Sequence, residues 1–400
     1  EALPPPEDGT HFIDDASLAV IQIDPNILTK AVKKMCKGAS AGCTGLTEEL
    51  VFQLLGSETL RPAITAILTD IINNRIDESV ARRLRNCRLV AYPKADNKIR
   101  PIAVGEALLK IAGQYVLLCN ADKIAKHFAP LQHGVLSPGG AENIVHNLRV
   151  MDSPLHHLVA IDMSNAFNTP YRSVIRKLVA EDWPDFAPLF NLAYAVPSEL
   201  FFSSDGETST VHSQRGTRQG DPLGGFFFAL VLQPMLKEAH ARFGDKVRIY
   251  AYLDDITLHG TDAVAIEACY KFIEDWTKRI GMTIKQSKCE WFSESLPPTL
   301  PIKTETNPDG FTFRKRSTST IRVLGALFGN TKVVSETLVK KEINRNRDMH
   351  KRIMSLGGHA AWVILNRTMV PRMGYVMRTH DPETSRDVCR QFDELTFETL

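Results

Sequence analysis

Three carboxylates stand where short apolar strands end. Leu158-Val-Ala-Ile161 is a brief apolar run of the kind that fills a buried strand, and it stops at Asp162. Val247 to Tyr252 and Ile256 to His259 read as two further strands, separated only by Leu253-Asp254-Asp255. Carboxylates brought together repel one another, and the arrangement is costly unless cations neutralise it. Mg²⁺ suits such a place, because it is usually held by one or two carboxylates plus substrate phosphates. Two such ions about 4 Å apart can clamp the attacking and the leaving oxygen of an in-line phosphoryl displacement. Asp is also common in turns, which would by itself explain Asp254-Asp255. The apolar strand on each side places these acids in a groove instead.

The elements that must position them follow a repeating order. The strand ending at Asp162 precedes a helix from Tyr171 to Ala180, and Gly220-Asp-Pro-Leu starts an apolar helix from Phe226 to His240. The two strands around Asp254-Asp255 come next, then a helix from Ala263 to Ile280 and a strand around Lys288 to Phe292. Without the inserted helix this is β-α-β-β-α-β, a split βαβ arrangement, in which the first strand and the central hairpin are neighbours. Upstream, residues from Asp24 to Ile76 read as helical, with a small-residue loop at Gly38-Ala-Ser-Ala-Gly-Cys-Thr-Gly45 that serves either as a connector or as a point of close backbone approach. Leu89-Val-Ala-Tyr92 and Ile99-Arg-Pro-Ile-Ala103 alternate like a hairpin around Pro93-Lys-Ala-Asp-Asn97, and helical text follows through Phe128. A second hairpin turn falls at Phe201-Phe-Ser-Ser-Asp-Gly206. Residues 293–320 are rich in Pro, Ser and Thr and read as a loop with a short hairpin; beyond Val323-Leu-Gly-Ala326 the text is helical, broken near Gly357-Gly358 and Asp381-Pro382.

With 400 residues, 44% hydrophobic and 24% charged, the chain has enough apolar text for two or three packed subdomains, and no apolar run reaches the roughly 20 residues of a membrane span. A net charge of +2 announces no partner, but its distribution is uneven. Arg82, Arg83, Arg85, Arg88, Lys94, Lys98 and Arg100 crowd one stretch; Lys340, Lys341, Arg345, Arg347, Lys351 and Arg352 crowd another. Each cluster is either a solvated face or a track for phosphates. The 7 cysteines are scattered without a Cys-x-x-Cys, which points to free thiols in a reducing, intracellular compartment. The Pro-rich start lacks the pattern of a signal peptide and reads as the cut edge of something longer.

Seven motifs, which keep their order along the chain, carry a resemblance. Tyr252-Leu-Asp-Asp255 resembles the Tyr-x-Asp-Asp box of reverse transcriptases, and Ile161-Asp-Met-Ser-Asn-Ala-Phe-Asn168 their first carboxylate motif. Arg218-Gln-Gly-Asp-Pro-Leu223 resembles a motif of non-LTR retrotransposon and group II intron enzymes, and Lys98-Ile-Arg-Pro-Ile102 their fingers motif. Residues 281–288 resemble the segment after the catalytic hairpin, Leu324-Gly325 the primer grip, and Val370-Pro-Arg-Met-Gly-Tyr-Val-Met-Arg378 a thumb signature. Two positions depart from the family: Gly224 replaces its usual Ser, and Leu253 its common Ala. With Phe-Ala-Leu after it, Gly224 is similar to site-specific elements that insert at repeated genes, including the spliced-leader elements of trypanosomatids.

The resemblance implies an α+β right-hand polymerase: a lead-in over 1–20, fingers over 21–150, a ferredoxin-like split βαβ palm over 151–330 with part of the fingers inserted, and a helical thumb over 331–400. It implies RNA-directed DNA polymerisation with two Mg²⁺ ions, Mn²⁺ being a substitute, held by Asp162, Asp254 and the Met163 carbonyl. Asp255 would be a supporting acid and Lys288 the general acid for pyrophosphate, unless Lys288 is merely a surface strand residue. Lys94 and Arg100 would clamp the triphosphate, and Gln219 and Gly220 would line the nucleotide pocket. Phe167 would exclude a ribose 2′-hydroxyl, or else simply pack the core. Leu324, Gly325, Lys340, Lys341, Arg345 and Arg347 would hold primer and template. The implied partners are an RNA template, a DNA primer or RNA–DNA duplex, and dNTPs, in the cytoplasm or, for a retrotransposon enzyme, the nucleus. An RNA polymerase of similar palm and a catalytically dead RNA-binding scaffold are the competing readings; Phe167 argues against the first and the intact acids against the second.

Overall fold

Local signals start and stop the elements much as the text suggests. Asp24 accepts hydrogen bonds from the Asn26 and Ile27 N–H groups at 2.7 and 3.3 Å, and Pro25 opens the helix Pro25–Lys34. The Thr47 hydroxyl caps Glu48–Gly56 in the same way. The computed structural model describes residues 7, 9–35, 38–93, 99–150, 157–204, 206–293, 315–317 and 319–399. They divide into two compact units.

The first unit comprises Glu1–Ser137, Met163–Glu238 and Phe272–Ile284. Its sheet joins the hairpin Cys87–Pro93 and Ile99–Val104 to the hairpin Ser198–Ser204 and Glu207–Ser213, through parallel pairing of Cys87 with Leu200. Both hairpins were expected; their union was not, since parallel pairing leaves no turn signal in the text. The helix Ala187–Tyr194 was also unexpected, and all of its residues are buried. Its Phe190 and Tyr194 join Phe128, Trp183, Phe186, Phe226 and Phe227 in an aromatic core, where Phe186 stacks on Phe226 at 4.4 Å. The helix that supplies Phe226 and Phe227 runs Pro222–Phe243, longer than its apolar text.

The second unit comprises Pro138–Asp162, Ala239–Lys271 and Lys285–Leu400. Its five-stranded sheet has the order Arg248–Tyr252, Asp255–Gly260, His157–Ile161, Glu290–Ser293, Lys315–Ser317. The first four are antiparallel and the last is a parallel addition that the text does not show. Leu158 and Phe292 pack under the helix Gly140–Val150 through Ile144, Val145 and Leu148, together with Ile321, Val323 and Phe328 from the hairpin Thr320–Val323 and Ala326–Gly329. Helices from Thr331 to Thr399 carry two cores of their own, one around Leu338, Val376, Val388 and Phe392, the other around Ile353, Leu365 and Met369.

Candidate active site

Strand register places the acids. Ile161 pairs with Ile256, so Asp162 leaves its strand beside Asp255, and Tyr252 pairs with Asp255 across a two-residue turn, Leu253-Asp254. Leu253 has a φ of +54°, the left-handed conformation that primed hairpin turns demand and that a branched side chain adopts at a cost. Asp162 is fixed through its backbone: its N–H donates to the Cys289 Sγ at 3.4 Å, and its carbonyl accepts from the Lys285 N–H at 2.8 Å. Its Oδ1 is buried and accepts no hydrogen bond, while the Lys288 Nζ lies 3.7 Å from it. Asp255 is exposed at the start of its strand, and desolvation by the protein around its carboxylate, then the charges of Asp254 and Asp162, push its pKa up to about 6.

Three acids thus gather at this end of the sheet, with Lys288 beside Asp162. Among the described residues no three His, Cys, Asp or Glu side chains close into a ready-made cation cage. Mg²⁺ takes few protein ligands and completes its shell with water and phosphate. Asp162 and the turn acids fit such an ion, since an unbonded carboxylate oxygen and an acid whose pKa is raised partly by like charges are what a cation would relieve. Met163 bridges to Ile284 in the antiparallel pattern whose flanking bonds belong to Asp162 and Ser164, so the ladder does not engage the Met163 carbonyl. Lys288 lies in the turn Gln286–Lys288, not on the expected strand, which begins at Glu290.

Other expected residues divide between the two units. Lys94 lies outside the described residues, and so does Lys98. Arg100 is exposed on its hairpin, opposite Tyr92. Phe167 is half-buried, with its ring stacked on Phe228 at 4.6 Å, and its carbonyl accepts from the Thr217 N–H at 2.7 Å. The Gln219 carbonyl accepts from the Ala103 N–H at 2.9 Å. Gly220 follows with a φ of +113°, and a Cβ there would stand 2.6 Å from the Ala103 carbonyl oxygen. Glycine is required at this point by the neighbouring strand. Leu324 and Gly325, at φ +48° and +91°, form the two-residue turn of their hairpin. Lys340, Arg345 and Arg347 are exposed, whereas Lys341 is half-buried with Glu342 at 3.2 Å. The other basic cluster is partly consumed inside the protein: Arg85 is buried and paired with Glu78, and Arg82 pairs with Glu199 at 2.8 Å.

Reading the text missed a buried network behind Gln219. The Arg218 guanidinium donates to the Arg85 carbonyl at 2.6 Å, to the Ser198 hydroxyl at 3.2 Å and to Asp221 at 3.0 Å, and lies 4.6 Å from the Tyr194 ring centre. Tyr194 donates to the same Asp221 oxygen at 2.7 Å, and Asp221 also accepts from the Leu223 N–H. Arg172 is buried too, satisfied by the carbonyls of Gly216, Tyr194 and Val196 and by the Ser213 hydroxyl. Only the motif around Arg218 hinted at this; charged residues in a sequence read as surface by default. Gly224, where the family usually has Ser, would bring a Cβ within 2.6 Å of the Arg218 carbonyl oxygen.

Residues 92–328 match the family described as reverse transcriptase (RNA-dependent DNA polymerase). The chain belongs to the reverse transcriptase family. Reverse transcriptases act on a nucleic-acid template and primer with dNTPs and use divalent metal. The chain is 26% identical to the retrotransposable element SLACS 132 kDa protein of Trypanosoma brucei gambiense, over 95% of its own length and 31% of the relative's. It is 25% identical to the transposon TX1 uncharacterized 149 kDa protein of Xenopus laevis, over 68% of this chain and 22% of the other. A third relative is the retrovirus-related Pol polyprotein from type-2 retrotransposable element R2DM of Drosophila melanogaster, 23% identical over 52% of this chain and 21% of that protein. This is a reverse transcriptase domain of the non-LTR retrotransposon kind, and it spans under a third of the relatives it matches. No helix among the described residues is long and apolar enough to cross a membrane.

Proposed function

We propose that this chain extends a primer along an RNA template with dNTPs by two-metal nucleotidyl transfer, in the service of retrotransposition. The observation that carries the reading is the register of Ile161 with Ile256, which sets Asp162 beside the Asp254-Asp255 turn. Asp162 and Asp254 are the proposed ligands of both Mg²⁺ ions, with the Met163 carbonyl as a further oxygen. When bound, these ions supply charge stabilisation for the attacking and leaving oxygens. The protein's own part is to hold the acids rigidly on paired strands and to keep Lys288 beside Asp162, from where it would give a proton to departing pyrophosphate.

The strand order of the second unit, stripped of its parallel addition, supports a ferredoxin-like split βαβ palm. In this reading residues 21–150 are fingers, 151–330 palm and 331–400 thumb. Arg100 and Lys94 would clamp the triphosphate. Gln219 and Gly220 would line the nucleotide pocket, and Leu324-Gly325 would seat the primer. The Phe167 ring, pinned against Phe228, would meet a ribose 2′-hydroxyl, which favours DNA over RNA synthesis. Work in the nucleus fits an enzyme that copies RNA into a genome.

Primer extension on primed RNA tests this. Wild type should extend with dNTPs in Mg²⁺, Asp254→Asn should lose at least a thousandfold in rate, on the order of 4 kcal/mol, and Phe167→Val should gain rNTP incorporation. Wild type that extends nothing leaves the RNA-binding scaffold as the better account.

A further inference from the structure

The Leu324-Gly325 turn is held by more than its two strands. Both residues adopt positive φ, and Leu324 does so with a side chain that disfavours it. The Tyr375 hydroxyl donates to the Leu324 carbonyl. A Cβ on Gly325 would stand 3.4 Å from the Tyr375 ring, so the ring lies against the glycine backbone. The turn is thus clasped on a carbonyl and on a flat face by one side chain from the helix Met373–Thr379. That helix is itself anchored nearby. Arg149 donates to the Thr379 carbonyl at 2.6 Å and to the Leu327 carbonyl at 2.9 Å, and the Leu327 N–H donates to the His380 Nε2 at 3.0 Å. Leu324 also packs against the core cluster on which Tyr252, the residue before Leu253-Asp254, packs.

We propose that Tyr375 is a positioning residue, which holds the Leu324-Gly325 turn in the shape that seats the primer end and, through Leu324 and Tyr252, keeps that seat in register with the acid turn. It touches no substrate and acts through the turn alone. The proposal rests on reading that turn as primer-binding. A hydroxyl that holds a backbone carbonyl in a strained turn affects how well the turn receives its ligand, while the rate of the chemical step at saturation depends on the acids.

The test is Tyr375→Phe, which keeps the ring and removes only the donor. Steady-state extension by the whole chain is measured on an RNA template with a DNA primer, alongside thermal melting and Gly325→Val. The expected result is a KM for primer–template raised roughly three- to tenfold, the loss of one hydrogen bond, with kcat and the KM for dNTP within twofold of wild type and Tm nearly unchanged. Equal falls in kcat and in apparent affinity together with a lowered Tm would show a merely structural tyrosine and overturn the proposal. So would an unchanged KM. Gly325→Val should raise the same KM; if it does not, the turn does not seat the primer, and the underlying reading fails along with the tyrosine's role.

Discussion

At Asp255 the surroundings favour the neutral acid. Partial desolvation first, then Asp254 and Asp162, lift its pKa from 3.8 to about 6, although the residue is exposed at its strand's start. The folded state therefore binds this proton more tightly than the unfolded chain, and stability is lost as pH rises from about 4 through 6. Asp255→Asn removes that penalty. In EDTA, the Tm of the variant minus that of wild type should climb between pH 4 and pH 7, and Mg²⁺ added at pH 7 should shrink the gap by favouring the ionised acid; a gap that stays level across pH would refute the raised pKa. The acids themselves were legible, because an apolar strand ending in Asp and an Asp-Asp turn are local patterns. Lys288 was legible as a residue but misplaced on a strand, since its three-residue turn has no period to detect. Tyr194 gave no signal, because its hydrogen bond to Asp221 spans 27 positions.

Short elements near the expected nucleotide pocket are fixed by contacts that sequence alone does not display. Gly220 illustrates this: its text suggests room for a base pair, and the structure gives a nearer reason in the Ala103 carbonyl. Gly220→Ala should destabilise by roughly 1–3 kcal/mol, strain plus a backbone clash, and raise the KM for dNTP. Gly206→Ala, at φ +85° with no neighbour within 4 Å, is the control and should cost only the backbone strain, about 1 kcal/mol. Urea unfolding of both variants measures the difference, and equal losses would contradict the close approach. The same limit explains what the text hid. Long helices and hairpins announced themselves by period and turn residues. The buried helix Ala187–Tyr194 is apolar all round and so has no face to betray it, and the strand Lys315–Ser317 is only 3 residues long.

For the chain as a whole, a net charge of +2 conceals segregation: no Asp or Glu occurs between Asp348 and Asp381, and the exposed Lys340, Arg345 and Arg347 adjoin that stretch. Replacing these three by Gln should weaken binding to an RNA–DNA duplex and flatten the slope of log affinity against log salt by about two to three. Fluorescence anisotropy across a salt series reads this directly, and a slope equal to wild type would remove these residues from the duplex track. The two hairpins that turn on Leu253-Asp254 and on Leu324-Gly325 have a further bearing on distant comparison. A loop of two residues has no slack, and slipping a strand by one place would carry its buried side chains to the wrong face. At identities near 26%, these turns are therefore fixed rulers: a gap opened inside either one marks a misaligned relative rather than a real insertion.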